Sequence, residues 1–84
     1  MNVIIILGLI AGFFTTWALV PQIHKSWKTK KTKDVSLLMF LIMGTGAMLW
    51  VIYGFFINDF PVVFWNITAF IFILVMLSLK FKYG

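Results

Sequence analysis

The sequence is short of nearly everything a soluble enzyme uses. Its 84 residues include no cysteine and no arginine, only two acids (Asp34 and Asp59) and a single histidine, His24. Without cysteine there is no disulfide framework, no thiolate metal site and no thiol nucleophile. Charged residues make up 11% of the chain, against 63% hydrophobic and 19% aromatic. A soluble domain this small cannot cover so much apolar surface with so few polar groups, so lipid must be the solvent.

What is present are three long apolar runs, roughly 3–23, 35–57 and 61–79, each free of charge through its interior. Each meets the length of about 20 residues needed to cross about 30 Å of hydrocarbon. The first run lacks the leading cation and the small-x-small site of a cleavable signal peptide, so it is kept as mature structure. One domain of three transmembrane helices over 1–84 is expected. The formal net charge is +5, with five of the seven lysines between His24 and Asp34 and the other two at Lys80 and Lys82. In a soluble protein such a charge suggests nucleic acid, but here its placement is the positive-inside signature instead. It predicts a multi-pass protein of the plasma (inner) membrane, with the first loop and the C-terminus cytoplasmic and the N-terminus and the loop Asn58-Asp59-Phe60 outside.

Helix one is expected to end near Pro21-Gln22, where the ring removes an amide donor and frees a carbonyl at about Trp17, giving a kink or hinge. Asp34 or Ser36 is placed to cap helix two, and Pro61 suits the first turn of helix three. The three-residue outer connection makes helices two and three antiparallel neighbours. Gly8, Gly12, Gly44, Gly46, Ala47 and Gly54 allow close helix approach, a weak signal that packing alone explains. Three helices cannot easily enclose a polar path, so a transporter of this size must self-associate.

Polar groups at membrane depth are costly unless they find partners, so the few deep ones are informative. Asn66, in helix three, and Trp50, in helix two, fall at the same depth, roughly 8–12 Å below the outer surface at 1.5 Å per residue. The plain reading of Asn66 is an interhelical hydrogen bond, and that of Trp50 an interfacial anchor, although Trp27 and Trp65 already occupy belt positions. Together they offer more. An indole face covers the apolar side of a small neutral solute, while a carboxamide gives its hydroxyls both donor and acceptor. A stripe of Phe40, Met43, Gly46 or Ala47, Trp50 and Tyr53 at helical spacing would line a path or simply pack, its bulky ends suiting an inner and an outer gate. No carboxylate lies at mid-membrane to carry a proton or hold sodium, which favours facilitated diffusion over driven transport. No acid and base pair, activated nucleophile, cofactor site or metal cluster is evident, which argues against an enzyme.

These residues resemble the PQ-loop superfamily, and specifically the bacterial SemiSWEET sugar transporters: Pro21-Gln22 closing helix one, a basic Lys-Thr-rich loop, Ser36-Leu37-Leu38-Met39-Phe40, then Trp50-x-x-Tyr53-Gly54 and Asn66. The resemblance covers nearly the whole chain. It implies an all-α membrane protein, a three-helix bundle packed in the order 1-3-2, functioning as a parallel homodimer around one path. It implies that Trp50 and Asn66 of each copy bind the sugar, that Pro21 and Gln22 form the hinge, that Tyr53 and Asp59 form the outer gate and that Phe40 forms the inner one. Relatives commonly add an arginine to the outer gate, and this chain has none, so closure there would rest on Tyr53 with Asp59 or on Phe55 and Phe56. The expected function is uniport of small neutral mono- or disaccharides by alternating access, with no metal or cofactor and no nucleic acid. A PQ-loop carrier of another solute such as an amino acid, and a non-transporting membrane protein such as a holin-like pore or an assembly subunit, are the alternatives.

Overall fold

The apolar runs fold as helices whose ends are set by a few polar residues. The computed structural model describes residues 3–33 and 35–84. Four helical segments follow one another: α1 (Val3–Trp17), α2 (Leu19–Thr29), α3 (Leu37–Phe56) and α4 (Phe60–Tyr83). Because α1 and α2 are separated by Ala18 alone, they form one interrupted span of 27 residues, and with α3 and α4 the described residues hold three helices long and apolar enough to cross a membrane.

The first span differs from expectation at its end. It does not stop near Pro21-Gln22 but runs to Thr29, six residues past the predicted limit at 23, and the last span continues to Tyr83 rather than 79. The interruption instead falls at Ala18, three residues before the proline. Pro21 has no N–H for the Trp17 carbonyl and its ring crowds that turn, so the hydrogen-bond ladder is interrupted there while Ala18 keeps helical dihedrals, φ −61° and ψ −21°. In α2 Pro21 is the third residue, inside the first turn, where a missing amide hydrogen leaves no further bond unmade. Amphipathic Leu19–Thr29 then carries Lys25 and Lys28 beyond the apolar stretch.

Caps fix the other boundaries. Ser36 Oγ accepts a hydrogen bond from Met39 N at 3.1 Å and starts α3. The alternative cap, Asp34, lies outside the described residues. Asp59 Oδ1 accepts from Val62 N at 3.2 Å and starts α4, with Pro61 in the first turn as expected. Between them Asn58 turns the chain at φ 55°, a left-handed conformation that asparagine tolerates better than most residues.

Helix α4 lies in the middle: it packs against α1, α2 and α3, while the backbones of α1 and α2 stay apart from that of α3. The spans are therefore ordered 1-3-2, as the resemblance implied. Two contact zones hold them. In the lysine-rich half, Phe40, Ala47, Ile73, Met76 and Leu79 form the buried cluster between α3 and α4. In the opposite half, glycines let backbones close in. Gly8 faces Pro61 and Gly12 faces the Trp65 ring, while a Cβ on Gly54 would lie 2.7 Å from Val63 Cγ2 and 3.0 Å from Val62 Cγ1. Lys80 Nζ ties the first loop to α4 by donating to the carbonyls of Thr32 at 2.7 Å and Lys33 at 3.4 Å.

The resulting body measures 43 × 21 × 13 Å along its principal axes. The long dimension matches a bilayer with its headgroups. Most large apolar side chains, among them Leu7, Phe14, Ile42, Phe56 and Phe81, face outward, as lipid requires.

Candidate substrate-binding groove

The order 1-3-2 leaves α1 and α3 standing apart on either side of α4. The space between them is a groove of about 880 Å³, with α4 as its floor. Residues of α1 such as Gly8, Ala11 and Thr15 form one wall, and Met43, Gly46 and Trp50 of α3 form the other. Trp65, Asn66 and Ala69 line the floor, and the turn at Asn58 and Asp59 forms the lip at the end remote from the lysines.

Trp50 and Asn66 thus meet in one groove. Trp50 lies six residues before the end of α3 and Asn66 six residues after the start of α4. Both are therefore about 9 Å inside the turn that joins the two helices. Trp50 keeps 53% of its surface exposed despite that depth. Its ring meets Tyr53 edge to face at 5.3 Å. Asn66 Nδ2 donates to the Val62 carbonyl one turn earlier at 2.8 Å, which fixes the amide in place. Its Oδ1 has no partner among the described residues, so one acceptor and a second N–H remain for a solute. Asp59 is the one ionisable side chain among the described groove residues, and its carboxylate is engaged as the cap of α4. Such a lining suits an uncharged, hydroxyl-bearing molecule.

The predicted stripe on α3 divides. Met43, Gly46, Ala47 and Trp50 line the groove. Tyr53 instead shares with Gly46, Leu49 and Trp50 an adjoining, wide-open recess of about 490 Å³. Phe40 is 0% exposed, inside the α3–α4 cluster, and is not on the groove. Helical geometry explains the split: thirteen residues at 3.6 per turn leave Phe40 and Tyr53 about 140° apart, so one stripe cannot hold both ends on one face. Pro21 and Gln22 are exposed on α2, away from the groove.

Trp65 departs from the belt position expected of it: its ring lies on the groove floor against Gly12. Phe13 and Phe64 flank it edge to face at 6.0 and 4.8 Å. Its Nε1 is shut off from solvent with no hydrogen-bond acceptor. A buried donor left so costs about 1–3 kcal/mol. The available signal was its adjacency to Asn66: neighbours on a helix differ by about 100° in direction, so both can border one broad groove.

Comparison with known proteins agrees with this architecture. The family model described as PQ loop repeat matches residues 3–64. The sugar transporter SemiSWEET of Escherichia coli is 39% identical over 69 residues, covering 82% of this chain and 78% of that protein. The one from Leptospira biflexa is 32% identical over 79 residues, covering 94% and 93%. A crystal structure of a bacterial homologue of SWEET transporters superposes with a TM-score of 0.96 at 42% identity, over 99% of this chain and 100% of that one. Relatives so named are transporters and not enzymes. With a three-span fold and a matching family model over most of its length, the chain belongs to the PQ-loop family and, within it, to the SemiSWEET group.

Proposed function

We propose that the chain is one half of a sugar carrier, and that two copies standing side by side in the same orientation move small neutral mono- or disaccharides by facilitated diffusion. The observation that carries this reading is the pairing of an exposed, deep Trp50 with a partly unsatisfied Asn66 in a groove open along one face of a body 13 Å thick. Three helices with a groove open on one face cannot surround a solute, and a second copy laid over the groove would convert it into an enclosed path with two Trp50 rings and two Asn66 amides. The named relatives support sugar as the class of solute. Binding is weak by design: few contacts and millimolar affinity, about 4 kcal/mol, let the solute leave again.

In this mechanism the path opens alternately to each side. The lysine-rich end lies in the cytoplasm, as positive charge near span ends directs, and the Asn58-Asp59 turn lies outside. Tyr53 and Asp59 stand at the external mouth and form the outer gate, with no arginine to pair with the acid. The break at Ala18, imposed by Pro21 with Gln22 beside it, serves as the hinge. Phe40 closes the inner end through the α3–α4 cluster that it anchors, rather than as a free ring on the wall. Uptake of labelled glucose and sucrose into proteoliposomes tests the reading. Saturable uptake that Trp50→Ala and Asn66→Ala each abolish or weaken is expected; uptake indifferent to both would remove the pocket assignment.

A further inference from the structure

The carrier mechanism just described makes no use of Trp65, although this ring occupies the groove floor next to Asn66. Its packing does not require the indole nitrogen. The close fit is between the ring and Gly12, where a Cβ would overlap Cγ and Cδ1 and lie 2.8 Å from Nε1. A phenyl ring would satisfy the same edge-to-face neighbours, Phe13 and Phe64. A donor held without an acceptor in a native fold calls for a role, and the Nε1 of Trp65 is such a donor.

We propose that Trp65 is a sugar-contacting, specificity-determining residue, which donates its indole N–H to a hydroxyl of the solute when α1 moves off the groove floor. Near this point α1 meets α4 through Gly12 and Phe13 against the Trp65 ring, through the Trp17 and Phe72 rings at 5.6 Å, and through a long hydrogen bond, 3.5 Å, from Thr16 Oγ1 to the Trp65 carbonyl. The span breaks at Ala18, two residues beyond Thr16. A swing of α1 about that break uncovers Nε1 on the same floor from which Asn66 presents its free amide oxygen. The donor is unpaired while α1 sits on it and paired with the solute when α1 has moved. A sugar therefore binds the displaced state better and shifts the population toward it.

This inference rests on the sugar-carrier reading and adds a named donor to it. It is tested with the full chain in lipid, by glucose uptake and by the 15N-indole resonance of Trp65, assigned through its loss in Trp65→Phe. The expected result is a five- to tenfold higher half-saturating glucose concentration in Trp65→Phe with a similar maximal rate, and a saturable shift of the indole resonance in the unsubstituted chain. A ring with only a packing role would lower the maximal rate and leave half-saturation alone. Unchanged half-saturation, or a resonance that glucose does not move, overturns the role of Trp65 while the carrier reading stands. No saturable uptake of either glucose or sucrose by the unsubstituted chain overturns both.

Discussion

In the proposed carrier, Trp50 and Asn66 would divide the work of recognition by their chemistry. The indole offers an apolar face, and the amide offers an acceptor whose direction is fixed because its own Nδ2 is bound to the Val62 carbonyl. Truncation should therefore act on affinity first. Loss of the Asn66 contact in Asn66→Ala removes about 0.5–1.5 kcal/mol, up to roughly a tenfold rise in the half-saturating sugar concentration. Trp50→Ala should weaken uptake at least as much, since it removes the ring proposed to cover the solute. Concentration-dependent proteoliposome uptake separates these losses from a fall in maximal rate. Asp59 illustrates how a residue can hold two offices: its carboxylate caps α4, so any substitution there changes helix stability as well as the mouth of the groove.

The helices depend on where side chains are missing as much as on where they are present. Gly54 lets α3 and α4 close against each other next to the Asn58 turn, with a Cβ there lying 3.3 Å even from the Val63 backbone nitrogen. Gly54→Ala should push the two helices apart and destabilise the fold by roughly 1–3 kcal/mol, read by thermal or SDS-induced unfolding in detergent. The broken first span behaves oppositely. In Pro21→Ala the Trp17 carbonyl regains an amide partner, worth roughly 1 kcal/mol, so the break at Ala18 should heal and stability should rise. If that break is the hinge, the same variant lowers the maximal uptake rate and leaves half-saturation nearly unchanged. Distances between spin labels placed on α1 and α2 check the straightening, and uptake checks its cost.

The whole molecule is an elongated body with Trp50 and Asn66 on an open groove between α1 and α3. The absence of cysteine makes its assembly simple to examine, because every introduced thiol is the only one. Leu49 and Tyr53 line the open recess beside Trp50. Leu49→Cys or Tyr53→Cys should yield a covalent dimer on oxidation in membranes, whereas a chain that stays monomeric in every such variant would count against the two-copy path. The proposed orientation is checked in the same background. Asn58→Cys should react in intact cells with a maleimide that cannot cross the membrane, and Lys31→Cys should not.

Much of the fold was legible in the residues themselves. Three charge-free runs of spanning length, lysines concentrated at one side, the Ser36 and Asp59 caps and Pro61 in a first turn are local properties, governed by hydropathy and backbone donors. So was the shared depth of Trp50 and Asn66, which needs only the rise of a helix and a short turn. The position of the break was legible only in part, since a proline disturbs the turn before it while allowing the helix to resume after it.

The amino-acid sequence by itself determined a membrane solvent, three spans and the capped starts of α3 and α4, because each is written within one stretch of chain. Tertiary structure decided which faces meet. Only the placement of α4 between α1 and α3 opened the groove, turned Phe40 inward to the Ile73 and Met76 cluster, and brought Trp65 from an assumed belt position onto Gly12. The physical reason is that apolar periodicity cannot tell a lipid-facing ring from a buried one when lipid and core are equally apolar. That distinction comes from the packing of small residues against rings, which joins positions far apart in the chain.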